Sequence, residues 1–165
     1  MKNTALFKTL VDILYVLHFI GLVGIVFILP LGILNQEQDV VNSEQWTGFY
    51  WVLLCIGLIA YIIFLRGLFY LRKMAVSLSL GSSFSERIIS NLKKSGKHFL
   101  YTGIMAFGLM ILLWLTRLGL GKLSFGYNAN LLIPFFLMII GSFFIIQSNT
   151  LSEAKQIKEE NELTI

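Results

Sequence analysis

Four times along this chain, apolar residues run almost without charged interruption for about the thickness of a bilayer. The runs span about Thr9–Leu34, Gly48–Leu71, Phe99–Leu118 and Leu131–Gln147. A helix rises about 1.5 Å per residue, so about 20 apolar residues cross the hydrocarbon layer. The pattern therefore predicts an all-α integral membrane protein, an antiparallel four-helix transmembrane bundle. Short outer turns make consecutive helices neighbours. The spans, their connections and the tails take up all 165 residues, which predicts a single transmembrane domain over 1–165.

Polar positions punctuate the runs. Span one is expected to end near Pro30 and Gly32, which suit a helix terminus. Trp46, Tyr50 and Trp51 mark the outer interface of span two, where amphipathic rings prefer to lie. The connector 72–98 is turn-like through Ser77–Ser83. It then carries Ser83-Phe84-Ser85-Glu86, which fits the capping box S-x-x-E. A helix from about Ser85 would place Ile88, Ile89 and Leu92 on one side, and Arg87, Lys93, Lys94 and Lys97 on a more polar one. This predicts a short amphipathic helix on the inner leaflet between spans two and three, the alternative being a lead-in continuous with span three. In the tail 148–165, the spacing of Leu151, Ala154 and Ile157 predicts that span four continues as a helix beyond the membrane.

Charge orients the bundle. Of 13 Lys and Arg, all but Arg117 and Lys122 lie before span one, around the connector or in the tail. The first loop, Asn35–Thr47, holds Glu37, Asp39 and Glu44 and no Lys or Arg. By the positive-inside rule both termini and the connector are cytoplasmic. The net charge of +4 thus reads as a topology signal with attraction to anionic lipid, not as a nucleic-acid surface. The first run is too long for a signal-peptide core and no cleavage site closes it, so span one is expected to stay. The single cysteine, Cys55, lies within span two, which excludes an intramolecular disulfide.

Charged groups in hydrocarbon are costly. Asp12 and Arg66 lie at matching depths in spans one and two, which predicts an ion pair between them; separate snorkelling to the headgroups is the alternative. His18 lies near mid-membrane, with Tyr61 and Ser142 at comparable depth as hydrogen-bonding partners. Gly21, Gly24, Gly57, Ala60, Gly103, Gly108 and Gly141 are small enough for close helix packing. The 14 phenylalanines read as lipid-facing or packed bulk.

Catalytic signatures are lacking. Gly121-Lys122 is followed by Leu123 where a phosphate loop needs Ser or Thr. There is no G-x-S-x-G, H-E-x-x-H or C-x-x-C. The serines of 77–85 have no base arranged to activate them. The histidines stand at different depths without further ligands, so no metal site is expected. These readings favour a protein that is not an enzyme and carries no cofactor.

Two segments together resemble a known family. Gly81-Ser-Ser-Phe84-Ser85-Glu86 with Leu92-Lys93-Lys94-Ser-Gly96, and the closing Lys158-Glu-Glu-Asn-Glu-Leu-Thr-Ile165, resemble the connector and closing motif of the bacterial four-span membrane proteins catalogued as domain of unknown function 2975. Ser83 stands where the family pattern has Pro, and Arg87 where Asn is common. The resemblance covers essentially the whole chain through its span arrangement. It implies a bacterial inner-membrane protein with no assigned chemistry, of a family often encoded beside a small helix-turn-helix regulator.

Two expectations follow. The first is a non-enzymatic regulatory or adaptor protein that docks a cytosolic partner, such as a helix-turn-helix regulator, through Phe84, Glu86, Arg87, Lys93, Lys94, Glu159, Glu160 and Leu163. The basic connector and acidic tail would otherwise simply pair with each other. The second is a small transporter, channel subunit or toxin-immunity protein acting within the bilayer. Besides lipid and a cytosolic protein, a second copy of the chain is a candidate partner.

Overall fold

A computed structural model describes residues 2–28, 44–80, 85–119 and 131–163. These form four helices: α1 (Lys2–Ile28), α2 (Glu44–Ser79), α3 (Glu86–Gly119) and α4 (Leu132–Leu163). All four are long and apolar enough to span a membrane. The all-α four-helix bundle expected from the hydropathy pattern is what the chain forms, with no strand among the described residues.

The helices outrun the apolar runs that seeded them. Backbone hydrogen bonding continues as long as the next residues tolerate helix, and Lys, Arg, Glu, Gln and Leu are good helix formers. α2 therefore runs past Leu71 to Ser79, and α4 past Gln147 to Leu163. The separate surface helix is not formed. α3 begins at Glu86 and continues unbroken through His98 into the span, so the connector's polar stretch is the first part of α3. The helix starts where expected, next to Ser85. Ser85 caps α3: Ile88 N–H reaches Ser85 Oγ at 3.4 Å and Ser85 O at 3.0 Å. This is an N-cap hydroxyl accepting from the third helical residue. Glu86 then stands at the first helical position, where a carboxylate suits the helix dipole. Ser83 and Phe84, the span-one terminus at Pro30 and Gly32, and the side chains of Trp46 and Tyr50 lie outside the described residues.

Packing is serial: α1 against α2, α2 against α3, and α3 against α4. The core sits toward the end of the bundle that carries most of the lysines and arginines, here termed the basic end. It comprises Val11 of α1, Leu68, Leu71, Met74 and Ala75 of α2, and Ile88, Leu92 and Phe99 of α3, with Ile140, Phe144 and Leu151 of α4 against it. Toward the other end of α1, Leu17, Phe19, Ile20, Val26 and Phe27 are exposed, as suits side chains whose solvent is lipid.

Glycines set the closest approaches. A methyl group on Gly141 would stand 2.6 Å from Leu100 N and 2.8 Å from Gly96 O. On Gly103 it would meet Pro134 O at 2.8 Å, and on Gly67 the Phe99 ring at 2.7 Å. Small residues let helix backbones touch in lipid, where dispersion replaces the hydrophobic effect as the adhesive. Gly141, Gly103 and Gly21 serve as their size suggests, whereas Gly24, Gly57 and Gly108 face open space. Gly96, one of the tightest sites, stands in a polar stretch, Lys93-Lys94-Ser95-Gly96-Lys97, that hid it.

Candidate functional site

The polar chemistry of the described chain concentrates at the basic end. Asp12 on α1 accepts a hydrogen bond from Arg72 Nε at 2.6 Å. The expected partner was Arg66, and the structure corrects this. Arg66 and Arg72 are six residues apart, so they point in different directions on α2. Arg66 lies on the exposed stripe of Ile59, Ile62 and Phe69, and among the described residues it joins no ion pair. Arg72 flanks the buried stripe of Leu68, Leu71 and Ala75, which brings it to α1, with its guanidinium carbon 5.5 Å from the centre of the Tyr15 ring.

At mid-membrane, Tyr61 does approach His18, but through the backbone: its hydroxyl donates to the His18 carbonyl at 2.9 Å. The His18 Nδ1–H donates to the Leu14 carbonyl at 2.8 Å, and the ring lies edge-on to Phe64. Both hydrogen bonds satisfy polar atoms within the helix pair. Ser142 is half-buried on α4, which packs mainly on α3. One seam contact had no sequence signal: fully buried Ser95 of α3 donates to the Gly67 carbonyl of α2 at 2.9 Å. Six other connector serines precede it, and nothing in their spacing singles it out.

The proposed docking residues divide between two grooves. One, of about 440 Å³, lies between α2 and α3 and is lined by Arg72, Lys73, Arg87, Asn91, Phe69 and Val76 among others. Lys94 is not among its lining residues; its ammonium stands 5.6 Å from the centre of the Tyr70 ring. The other, of about 390 Å³, lies between α3 and α4 and is lined by Glu86, Lys93, Lys155 and Glu159 among others. Here Lys155 bridges to Glu86 at 2.9 Å and to Glu159 at 3.4 Å, and Lys93 donates to Asn149 Oδ1 at 3.3 Å. Connector and tail are thus joined, but with the roles inverted. The acid comes from the basic connector and the base from the acidic tail. The hydrogen bond from Lys155, and then its charge, hold the Glu86 carboxyl below its ordinary value of 4.5. The same bond, outweighing a small desolvation effect, raises the Lys155 ammonium. Glu160 is exposed on α4, while Phe84 and the Leu163 side chain lie outside the described residues. Among the described residues no three His, Cys, Asp or Glu side chains come close enough to share a metal ion.

The family described as Protein of unknown function (DUF2975) matches residues 36–165. The chain belongs to DUF2975. The match takes in α2, α3 and α4 with both grooves, and it leaves α1, with Asp12 and His18, outside. No curated protein and no solved structure matches this DUF2975 chain.

Proposed function

We propose that this DUF2975 protein is a non-enzymatic regulatory or adaptor protein of the bacterial inner membrane, with both termini and the basic end in the cytoplasm, where it docks a cytosolic protein. The observation that carries the reading is the ordered extension of α3 and α4 past the bilayer. α4 has 32 residues, about 48 Å of helix against about 30 Å of hydrocarbon. The excess of about 18 Å falls within its polar half, beyond Gln147. That half is tied to the start of α3 by Lys155–Glu86 and Lys93–Asn149. Two helices held side by side, with Arg87, Glu153 and Glu160 exposed on them, make a preorganised charged platform. Preorganisation lowers the ordering cost that a binding surface must overcome. The charge asymmetry along the chain supports a cytoplasmic basic end. At mid-membrane, Tyr61 and His18 use hydrogen bonds to satisfy backbone carbonyls, which favours a structural role for them over lining a transport path.

The test is affinity purification of the full chain from its native membrane, alongside a variant with Arg87, Lys93, Lys94, Glu159 and Glu160 all changed to Gln. A cytosolic protein retained by the native chain and lost by the variant supports docking at this platform. Equal recovery with both refutes it, and solute flux in proteoliposomes would favour a role within the bilayer.

A further inference from the structure

We propose that the groove between α2 and α3 binds the phosphodiester headgroup of an anionic phospholipid. Three observations converge on it. The first is depth. Trp51 marks one interface of α2, and Arg72 follows about 21 residues later, about 32 Å along the axis, which is one hydrocarbon thickness. On α3, His98 lies beside Tyr70 of α2 with ring centres 5.3 Å apart, so Asn91 and Arg87 rise into the same layer as Val76 and Ser77. The groove therefore opens at headgroup level.

The second observation is charge. Arg72, Lys73 and Arg87 line one groove of about 440 Å³. Asp12 neutralises only Arg72. Among the described residues Lys73 and Arg87 join no ion pair, so the groove keeps a local excess of two positive charges. Cationic pockets between helices at this depth suit lipid phosphates. The opposite groove differs, because there Glu86 and Glu159 both bind Lys155.

The third observation is the mixed lining. Phe69, about one turn to the acyl side of Arg72, supplies an apolar wall, and the Lys73 ammonium stands 4.5 Å from the centre of its ring. Ser77 and Asn91, both buried, supply neutral polar groups on the facing helices. An apolar wall next to a cationic cradle fits a headgroup joined to its chains better than a free anion, which has no use for the wall.

The experiment is native mass spectrometry of the full chain in detergent. The probes are phosphatidylglycerol, phosphatidylcholine as the neutral comparison, and millimolar inorganic phosphate as the soluble competitor. The native protein is expected to retain phosphatidylglycerol in preference to phosphatidylcholine, and inorganic phosphate is expected not to displace it. Lys73→Gln with Arg87→Gln should weaken retention about 30-fold, at about fivefold for each cation near an anionic surface. Lys93→Gln with Lys97→Gln removes the same charge from other faces of α3 at similar depth and should change little. Lys73→Arg with Arg87→Lys keeps the charge and should keep the lipid. Equal losses in the two Gln pairs would reduce the effect to diffuse attraction and overturn the proposal. So would displacement by inorganic phosphate, or loss of lipid in the charge-conserving pair.

Discussion

Gly141→Ala puts the α3–α4 seam to the test with one methyl group. The added carbon would stand 2.6 Å from Leu100 N, 2.8 Å from Gly96 O and 3.0 Å from the Leu100 Cα. All three are backbone atoms of a continuous helix, so no side chain can turn away to make room. The helices must separate by several tenths of an ångström to restore ordinary contact. Overpacking of this kind costs about 1–3 kcal/mol, and a radial gap of 0.5–1 Å forfeits about a quarter to a half of each dispersion well along the seam. Against this stands the gain of alanine over glycine within a helix, about 0.5–1 kcal/mol. The clash outweighs the propensity, for a net loss of about 0.5–2 kcal/mol. Gly57→Ala has nothing within 4 Å, so the propensity gain stands alone there and stability should hold or rise. Gly67→Ala meets the Phe99 ring at 2.7 Å, a side chain wedged between Phe64 and Phe144, and should fall between the two. The assay is reversible unfolding of the three variants in one detergent, followed by helical circular dichroism. Gly141→Ala as stable as Gly57→Ala would show that α3 and α4 do not meet at that seam.

Three further outcomes follow from the geometry. A double-mutant cycle on Asp12 and Arg72 should give a coupling of about 0.2–1 kcal/mol, as for other partly exposed pairs, while Asp12 with Arg66 should give none; the reverse result would restore the depth-matched pair. Ser95→Ala removes the buried bond to the Gly67 carbonyl and should cost about 0.6 kcal/mol, the usual size of such bonds within membranes, whereas Ser90→Ala, on the exposed side of α3, should cost nothing measurable by the same unfolding assay. The Glu86 carboxyl should titrate below 4.5 in a carbon-detected NMR experiment and return toward it in Lys155→Met. Because its pKa is depressed on folding, the Glu86–Lys155 tie is intact above the ordinary carboxyl range and is lost as pH falls through the lowered value. Because the Lys155 ammonium is raised, the tie is also lost as pH rises past its own elevated value. A Glu86 titration unmoved by Lys155→Met would contradict the contact.

Much of the fold was legible because the bilayer imposes a length on each apolar run, and four runs of that length leave few alternatives. Helix ends were less legible. Hydropathy marks where a helix meets lipid, and it is silent on where polar residues of good helix propensity carry the helix onward. That is why the start of α3 read as a separate surface helix. The buried face was least legible. In lipid an outward Leu and an inward Leu are equally at ease, so nothing in the alternation distinguishes buried Val11 from exposed Leu10 and Leu14. The same difficulty produced the Arg66 assignment, since depth can be counted along a sequence while the facing of two helices depends on how they pack. Tyr61 and His18 illustrate the middle case. Their proximity followed from matched depth, yet the bond formed uses a backbone carbonyl that no residue-type argument would select.

The central claim is that lipid surrounds the four helices and that the basic end lies inside the cell. It is tested most directly by labelling single cysteines in intact spheroplasts with a membrane-impermeant maleimide, in a Cys55→Ser background. Ser90→Cys and Glu153→Cys should stay unlabelled until the membrane is opened, and Gly48→Cys should react at once. Labelling of Ser90→Cys and Glu153→Cys in intact cells, with Gly48→Cys protected, would contradict the account.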